Sequence, residues 1–67
     1  MYIVVALDDT GTISGYWDGT IFQSEIDNSD TYDTITDARF AQGSIQTQDT
    51  SFDVQYREAT VNIALVP

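Results

Sequence analysis

Cysteine, histidine and lysine are all missing from these 67 residues. Without cysteine, no disulfide and no thiolate metal site can staple the fold. Without histidine, the commonest general base and the commonest metal ligand are gone. Without lysine, the only side-chain cations are Arg39 and Arg57. Proline occurs once, at the last position, and glycine four times. The one strongly apolar opening run, MYIVVAL, is too short to span a bilayer and has no basic segment before it. It reads as a strand, and a cytoplasmic location is expected.

Acids are what the chain has instead. Eleven Asp and Glu residues give a formal net charge of −9. Self-repulsion at that charge opposes compaction. It also disfavours direct binding to nucleic acid or to an anionic membrane, both of which require positive charge. Any partner selected by charge is therefore a basic protein surface. The chain length corresponds to a single small domain over 1–67 with a marginal core.

Residues 2–7, YIVVAL, and 12–17, TISGYW, carry strand composition. A three-residue loop, Asp9-Thr10-Gly11, would join them as a hairpin with Gly11 in the left-handed conformation. That register opposes Leu7 to Ile13, Val5 to Gly15 and Ile3 to Trp17. Gly15 then makes room for the Trp17 indole, and Tyr16 points to the other face with Ile21. Asp18-Gly19 is a strong two-residue hairpin signal. It would return residues 20–24 along the second strand, pairing Trp17 with Thr20 and Gly15 with Phe22.

Residues 25–33, EIDNSDTYD, read as an acidic loop. Thr34 can cap a helix, with Asp37 approximating the reciprocal member of a capping box and suiting the positive helix end. Ile35, Ala38, Ala41 and Ile45 fall close to one helical face, with Phe40 flanking. Gly43 weakens that helix by about 1 kcal/mol relative to Ala, and an end near Gln46 is expected. The last stretch, FDVQYREATVNIALV, alternates first on even and then on odd positions. A β-bulge at 57–58 would keep one strand from about 52 to 65 on one face. The resulting fold class is α+β, a small antiparallel sheet in the order β-β-β-α-β with one helix on its apolar face.

The stretch VVALDDTGTIS (4–14) resembles two catalytic settings. Aspartic proteases carry Asp-Thr-Gly-Thr after a hydrophobic strand, and phosphoryl-transfer enzymes of the haloacid dehalogenase and P-type ATPase kind carry Asp-x-Thr-Gly-Thr. The first needs a later hydrophobic-glycine element, which the chain lacks. The second needs a lysine and a doubly wound sheet. The hairpin explains the motif without catalysis. An EF-hand started at Asp27 fails too, since its third, fifth and sixth positions are Ser29, Thr31 and Tyr32. Paired-carboxylate glycoside chemistry needs a cleft that so small a domain rarely builds. No catalytic, cofactor or metal residue is assigned.

Glu25, Asp27, Asp30, Asp33 and Asp37 place five acids in thirteen residues with no base among them. With Asp18 in its turn and Tyr16 as an aromatic contact, they form the candidate partner-binding set. Carboxylates held at spacings such as the ~6.7 Å between alternate strand residues can imitate a nucleic-acid backbone. A nucleic-acid-binding effector with a basic groove would accept them.

GYWDGTIF (15–22) and YDTITDARFAQ (32–42) follow a sheet-then-helix layout that resembles small acidic phage and mobile-element anti-defence proteins of the anti-CRISPR and anti-restriction type. The resemblance is one of architecture and contains no specific motif, so it carries no residue roles over. It implies a non-enzymatic inhibitor acting in a host cytoplasm. The alternative reading is a small structural or oligomerising module whose acids serve solubility or high-salt adaptation, with a homodimer left open.

Overall fold

The computed structural model describes residues 1–67. Its elements are β1 (Tyr2–Leu7), β2 (Ile13–Trp17), β3 (Phe22–Gln23), a 3-10 turn (Ile26–Asn28), α1 (Ile35–Gln48) and β4 (Asp53–Glu58). The four strands form one antiparallel sheet ordered β3-β2-β1-β4, with the helix against it. The β-β-β-α-β order expected from the sequence is the order found.

β1 sits in the middle, and five consecutive residues, Ile3 to Leu7, are buried. Burial on consecutive residues, rather than alternate ones, means that both faces of the sheet are covered. On one face Ile3, Val5, Leu7 and Ala59 form a cluster joined by Ile13, Tyr16, Ile26 and Ile63. On the other, Val4, Val54 and Ile45 meet Trp17, Phe22, Tyr32 and Ala41. Ile3, Val4, Val5 and Val54 are fully enclosed, and each such side chain contributes about 1.5–3 kcal/mol.

This two-sided core corrects three expectations built on a single apolar face. Leu7 does oppose Ile13, but the next pairs are Ala6 with Gly15 and Val5 with Tyr16. Ser14 is the extra residue of a bulge, and its hydroxyl donates to the Ala6 carbonyl at 3.2 Å. The bulge puts Trp17 on the helix side, away from the face of Ile3, Val5 and Leu7 expected for it from the sequence, and puts Tyr16 in their cluster instead. Gly15 makes room for Phe22, not for Trp17: a Cβ on Gly15 would lie 2.8 Å from the Phe22 Cβ.

The turn after Trp17 is longer than two residues. Trp17 pairs with Phe22 and Tyr16 with Gln23, so residues 18–21 form the loop. The Asp18 carboxylate organises it, accepting from the Thr20 and Ile21 N–H groups at 2.8 Å each. The longer loop lets the Trp17 and Phe22 rings meet edge to face at 5.1 Å.

There is no bulge at 57–58. β1 and β4 pair without interruption from Tyr2–Glu58 to Leu7–Asp53. Val54 and Ala59 therefore lie on opposite faces, each in its own cluster. Beyond Ala59 the chain reverses. Thr60 N–H bonds the Ala64 carbonyl at 2.8 Å, Ile63 has φ +55, and Leu65 bridges back to Ala59. The parity change in the sequence marks a strand serving two cores and then turning.

Thr34 caps α1 as expected, its hydroxyl accepting the Asp37 N–H at 3.1 Å. Ala38 and Ile45 are buried, while Ile35 is exposed and Phe40 is 80% exposed. The helix runs two residues beyond Gln46, to Gln48.

Candidate functional site

The VVALDDTGTIS motif folds as a turn. Asp8 N–H donates to the Thr12 carbonyl at 2.9 Å, and Gly11, at φ +82, takes the left-handed position of the three-residue loop. The Asp8 carboxylate accepts from the Thr10 hydroxyl at 2.6 Å, the Thr10 N–H at 2.9 Å and the Thr12 N–H at 3.1 Å. These donors, the Thr10 hydroxyl first, hold its pKa below the ordinary value. Local backbone donors are what an aspartate ordering a turn requires.

The carboxylates of the chain divide by what they bond. Asp8 and Asp18 order the two hairpin loops. Asp18 also accepts from Gln23 Nε2 at 2.8 Å, and that bond, followed by the Ile21 and Thr20 N–H groups, lowers its pKa. Asp49 accepts the Ser51 N–H and Asp53 the Gln55 side chain, both at 2.9 Å. Glu25, Asp27, Asp30, Asp33 and Asp37 differ. All five are exposed, and their carboxylates accept no hydrogen bond within the chain; Asp9 and Glu58 share these properties but lie apart from the segment, in the first hairpin loop and at the end of β4.

Backbone contacts fix the segment that carries these five. The Asp30 N–H donates to the Trp17 carbonyl at 2.8 Å, and Tyr2 and Tyr32 exchange two backbone bonds of 2.8 Å. This ties the acidic segment to the ends of β2 and β1. It also brings Asp30 beside the Asp18 loop, where a Cβ on Gly19 would lie 3.3 Å from the Asp30 carboxylate. Tyr32 has a raised pKa, through burial first and the nearby Asp30 charge second. The five acids occupy a 3-10 turn, its flanks and the first turn of α1, so the even spacing of a single strand does not apply to them.

Of the seven candidate residues, the fold brings Asp18 and Asp30 together and leaves Asp18 engaged in its own loop. Tyr16 is half-buried against the Ile3–Val5–Leu7–Ala59 cluster, and packing accounts for its ring. No group of three or more acidic side chains is placed to hold a metal ion. No helix is long and apolar enough to cross a membrane.

Outside the candidate residues lies a groove of about 320 Å³ between the β2–β3 hairpin and the last turn of α1. Trp17, Thr20, Ile21, Phe22, Ile45, Gln48 and Asp49 line it. Placing Trp17 in a one-sided core conceals this groove. The signal for it in the sequence is an isoleucine, Ile21, inside a polar turn, where it ends 56% exposed. No protein-family model, curated protein or solved structure matches this chain.

Proposed function

We propose that this chain is a non-enzymatic acidic binding protein that occupies the nucleic-acid-binding groove of a basic host protein in the cytoplasm, as an inhibitor of the anti-CRISPR or anti-restriction type would. The observation that carries this reading is the division of the acids. Four have bonding work in loops and strands. Seven, Asp9 and Glu58 among them, have none through their carboxylates, and five of these seven, Glu25 to Asp37, stand exposed together on one segment pinned to the sheet by Asp30, Tyr2 and Tyr32. Uncompensated like charges raise the free energy of the fold, so retaining them on an ordered segment is best explained by a cationic partner. Asp37 has the further use of facing the positive end of the helix.

The test immobilises the chain and captures proteins from a bacterial lysate at low salt. Identified nucleic-acid-binding proteins should be retained, and added duplex DNA or RNA should release them. Retention should fall with rising salt, since exposed charge pairs are screened beyond about 8–10 Å near physiological ionic strength. The D27K/D30K/D33K variant should retain little. Equal capture by that variant, with no response to salt or nucleic acid, overturns the reading.

The second reading, a structural or oligomerising module with acids for solubility, is favoured by one observation. Phe40 and Val61 are each 80% exposed, and a strongly charged surface keeps such a chain dispersed.

A further inference from the structure

We propose that the groove between the β2–β3 hairpin and the end of α1 is a binding site for an arginine side chain presented by a basic partner segment. The inference rests on the acidic-binding reading above, and it names a contact surface separate from the Glu25–Asp37 segment.

Three properties of the groove select this occupant. Its walls are apolar and aromatic. Trp17 and Phe22 contribute the edge-to-face pair, and Ile45 and Ile21 supply aliphatic surface. Aliphatic walls suit the methylene stem of a long cationic side chain, and an indole attracts a guanidinium. At the helix end, Asp49 stands at the rim with one carboxylate oxygen given to the Ser51 N–H. The second oxygen accepts nothing within the chain. Finally, α1 ends here with no basic residue in its last turn. The negative end of the helix dipole is thus uncompensated from within the chain, and a cation is the complement it favours.

Arginine fits better than lysine. Its planar guanidinium stacks on aromatic faces, is more weakly hydrated than an ammonium and donates in a fixed fork to a carboxylate. The volume stands at the lower limit of small-molecule pockets, which suits one side chain. The Asp18 loop forms one wall through Thr20 and Ile21, and Asp30 lies beside that loop at Gly19. A basic segment seated in the groove would therefore continue onto the acidic surface.

Trp17 is the only tryptophan in the chain, so its fluorescence reports on the groove directly. The experiment titrates the full chain with hexa-arginine and with hexalysine, following Trp17 emission and, in parallel, binding heat. Hexa-arginine should change the emission saturably and bind more tightly than hexalysine. Asp49→Asn preserves an oxygen for the Ser51 N–H, and Ile21→Ser alters an exposed side chain, so both variants keep the fold. Each should weaken hexa-arginine about fivefold or more, through loss of a charge-assisted bond or of apolar contact. Binding heat without a change in Trp17 emission overturns the proposal, as does equal affinity for the two peptides, wild-type affinity in both variants, or no binding. The two readings fail separately. Capture of nucleic-acid-binding proteins by D49N and I21S as efficiently as by wild type removes the groove and keeps the function. Hexa-arginine binding in the groove without any such capture does the reverse.

Discussion

The backbone N–H of Val54 donates to Oε1 of Gln46 at 2.8 Å, so a sheet strand takes its outer hydrogen bond from a helix side chain. Gln42 completes the arrangement by donating to the Val54 carbonyl at 2.7 Å. β4 is an edge strand, and an unpaired edge is a template for association. Further along the same edge, Arg57 caps the Tyr56 carbonyl at 2.9 Å and Val66 N–H caps that of Glu58 at 3.1 Å. The edge is guarded by side chains and by the returning C-terminal segment.

Gln46 has most to lose in this arrangement, because its amide also donates to the carbonyls of Asp49 and Phe52 at 2.8 and 2.9 Å. Gln46→Ala should cost about 1–3 kcal/mol, the penalty for a buried backbone group left unpaired. It should also promote self-association at millimolar concentration. Urea unfolding and sedimentation check both effects. Unchanged stability together with a monomeric variant would show that the guard is dispensable.

Two glycines should respond in opposite directions to alanine. Gly43 lies in the exposed helix interior, and a Cβ there would meet nothing within 4 Å, so Gly43→Ala should stabilise by about 1 kcal/mol. Gly15 would place its Cβ 2.8 Å from that of Phe22. Overpacking of that kind costs about 1–3 kcal/mol, and Gly15→Ala should unfold at lower denaturant. The same ranking of both variants relative to wild type, whether both up or both down, would contradict this packing.

The order of elements is legible in the sequence because its signals are local. Thr34 before an apolar-periodic run, the Asp9-Thr10-Gly11 loop and the β-branched opening strand each act within a few residues. What stays hidden depends on distant partners. The consecutive apolar run Ile3–Leu7 is a sign of two covered faces, but nothing nearby shows that residues 26 and 63 help to cover one of them. A one-faced reading misses the bulge at Ser14 and needs a bulge at 57–58 that the chain does not have. The acidic segment is legible as charge. Its attachment through Asp30 and Tyr32, and the groove beside it, arise only from tertiary contacts.

Ser29 offers a test of an orphaned polar group. Its residue is buried, and its hydroxyl has no hydrogen-bond partner. A buried donor left unpaired costs about 1–3 kcal/mol. Ser29→Ala removes it while retaining the backbone bond from Ser29 N–H to the Ile26 carbonyl. The variant should match or exceed wild-type stability in thermal unfolding. A clear drop in midpoint would mean that the hydroxyl is satisfied in solution, by bound water for example.

Acid titration isolates the contribution of the two turn-ordering aspartates, Asp8 and Asp18. The donors around Asp8, the Thr10 hydroxyl first, and around Asp18, the Gln23 amide first, hold both carboxyls below the ordinary aspartate value in the folded chain. A depressed folded pKa gives stability that is fully present above the unfolded pKa and disappears as pH falls through the folded value. The net charge of −9 acts the other way, since a smaller net charge at low pH relieves self-repulsion of the whole chain. Wild-type stability alone therefore mixes two opposed trends. The double variant D8N/D18N separates them, because asparagine keeps an acceptor oxygen in each loop but has no charge to titrate. The stability difference between wild type and variant should be constant from neutral pH down to about 5, then shrink as pH falls below the ordinary aspartate value of about 4. Denaturant titrations at several pH values measure it. A difference that persists unchanged at pH 2 would show that the loops depend on the geometry of these side chains and not on their charge. If the variant instead lost a hydrolytic activity that the wild type possesses, the Asp-Thr-Gly-Thr motif would have to be read as catalytic after all.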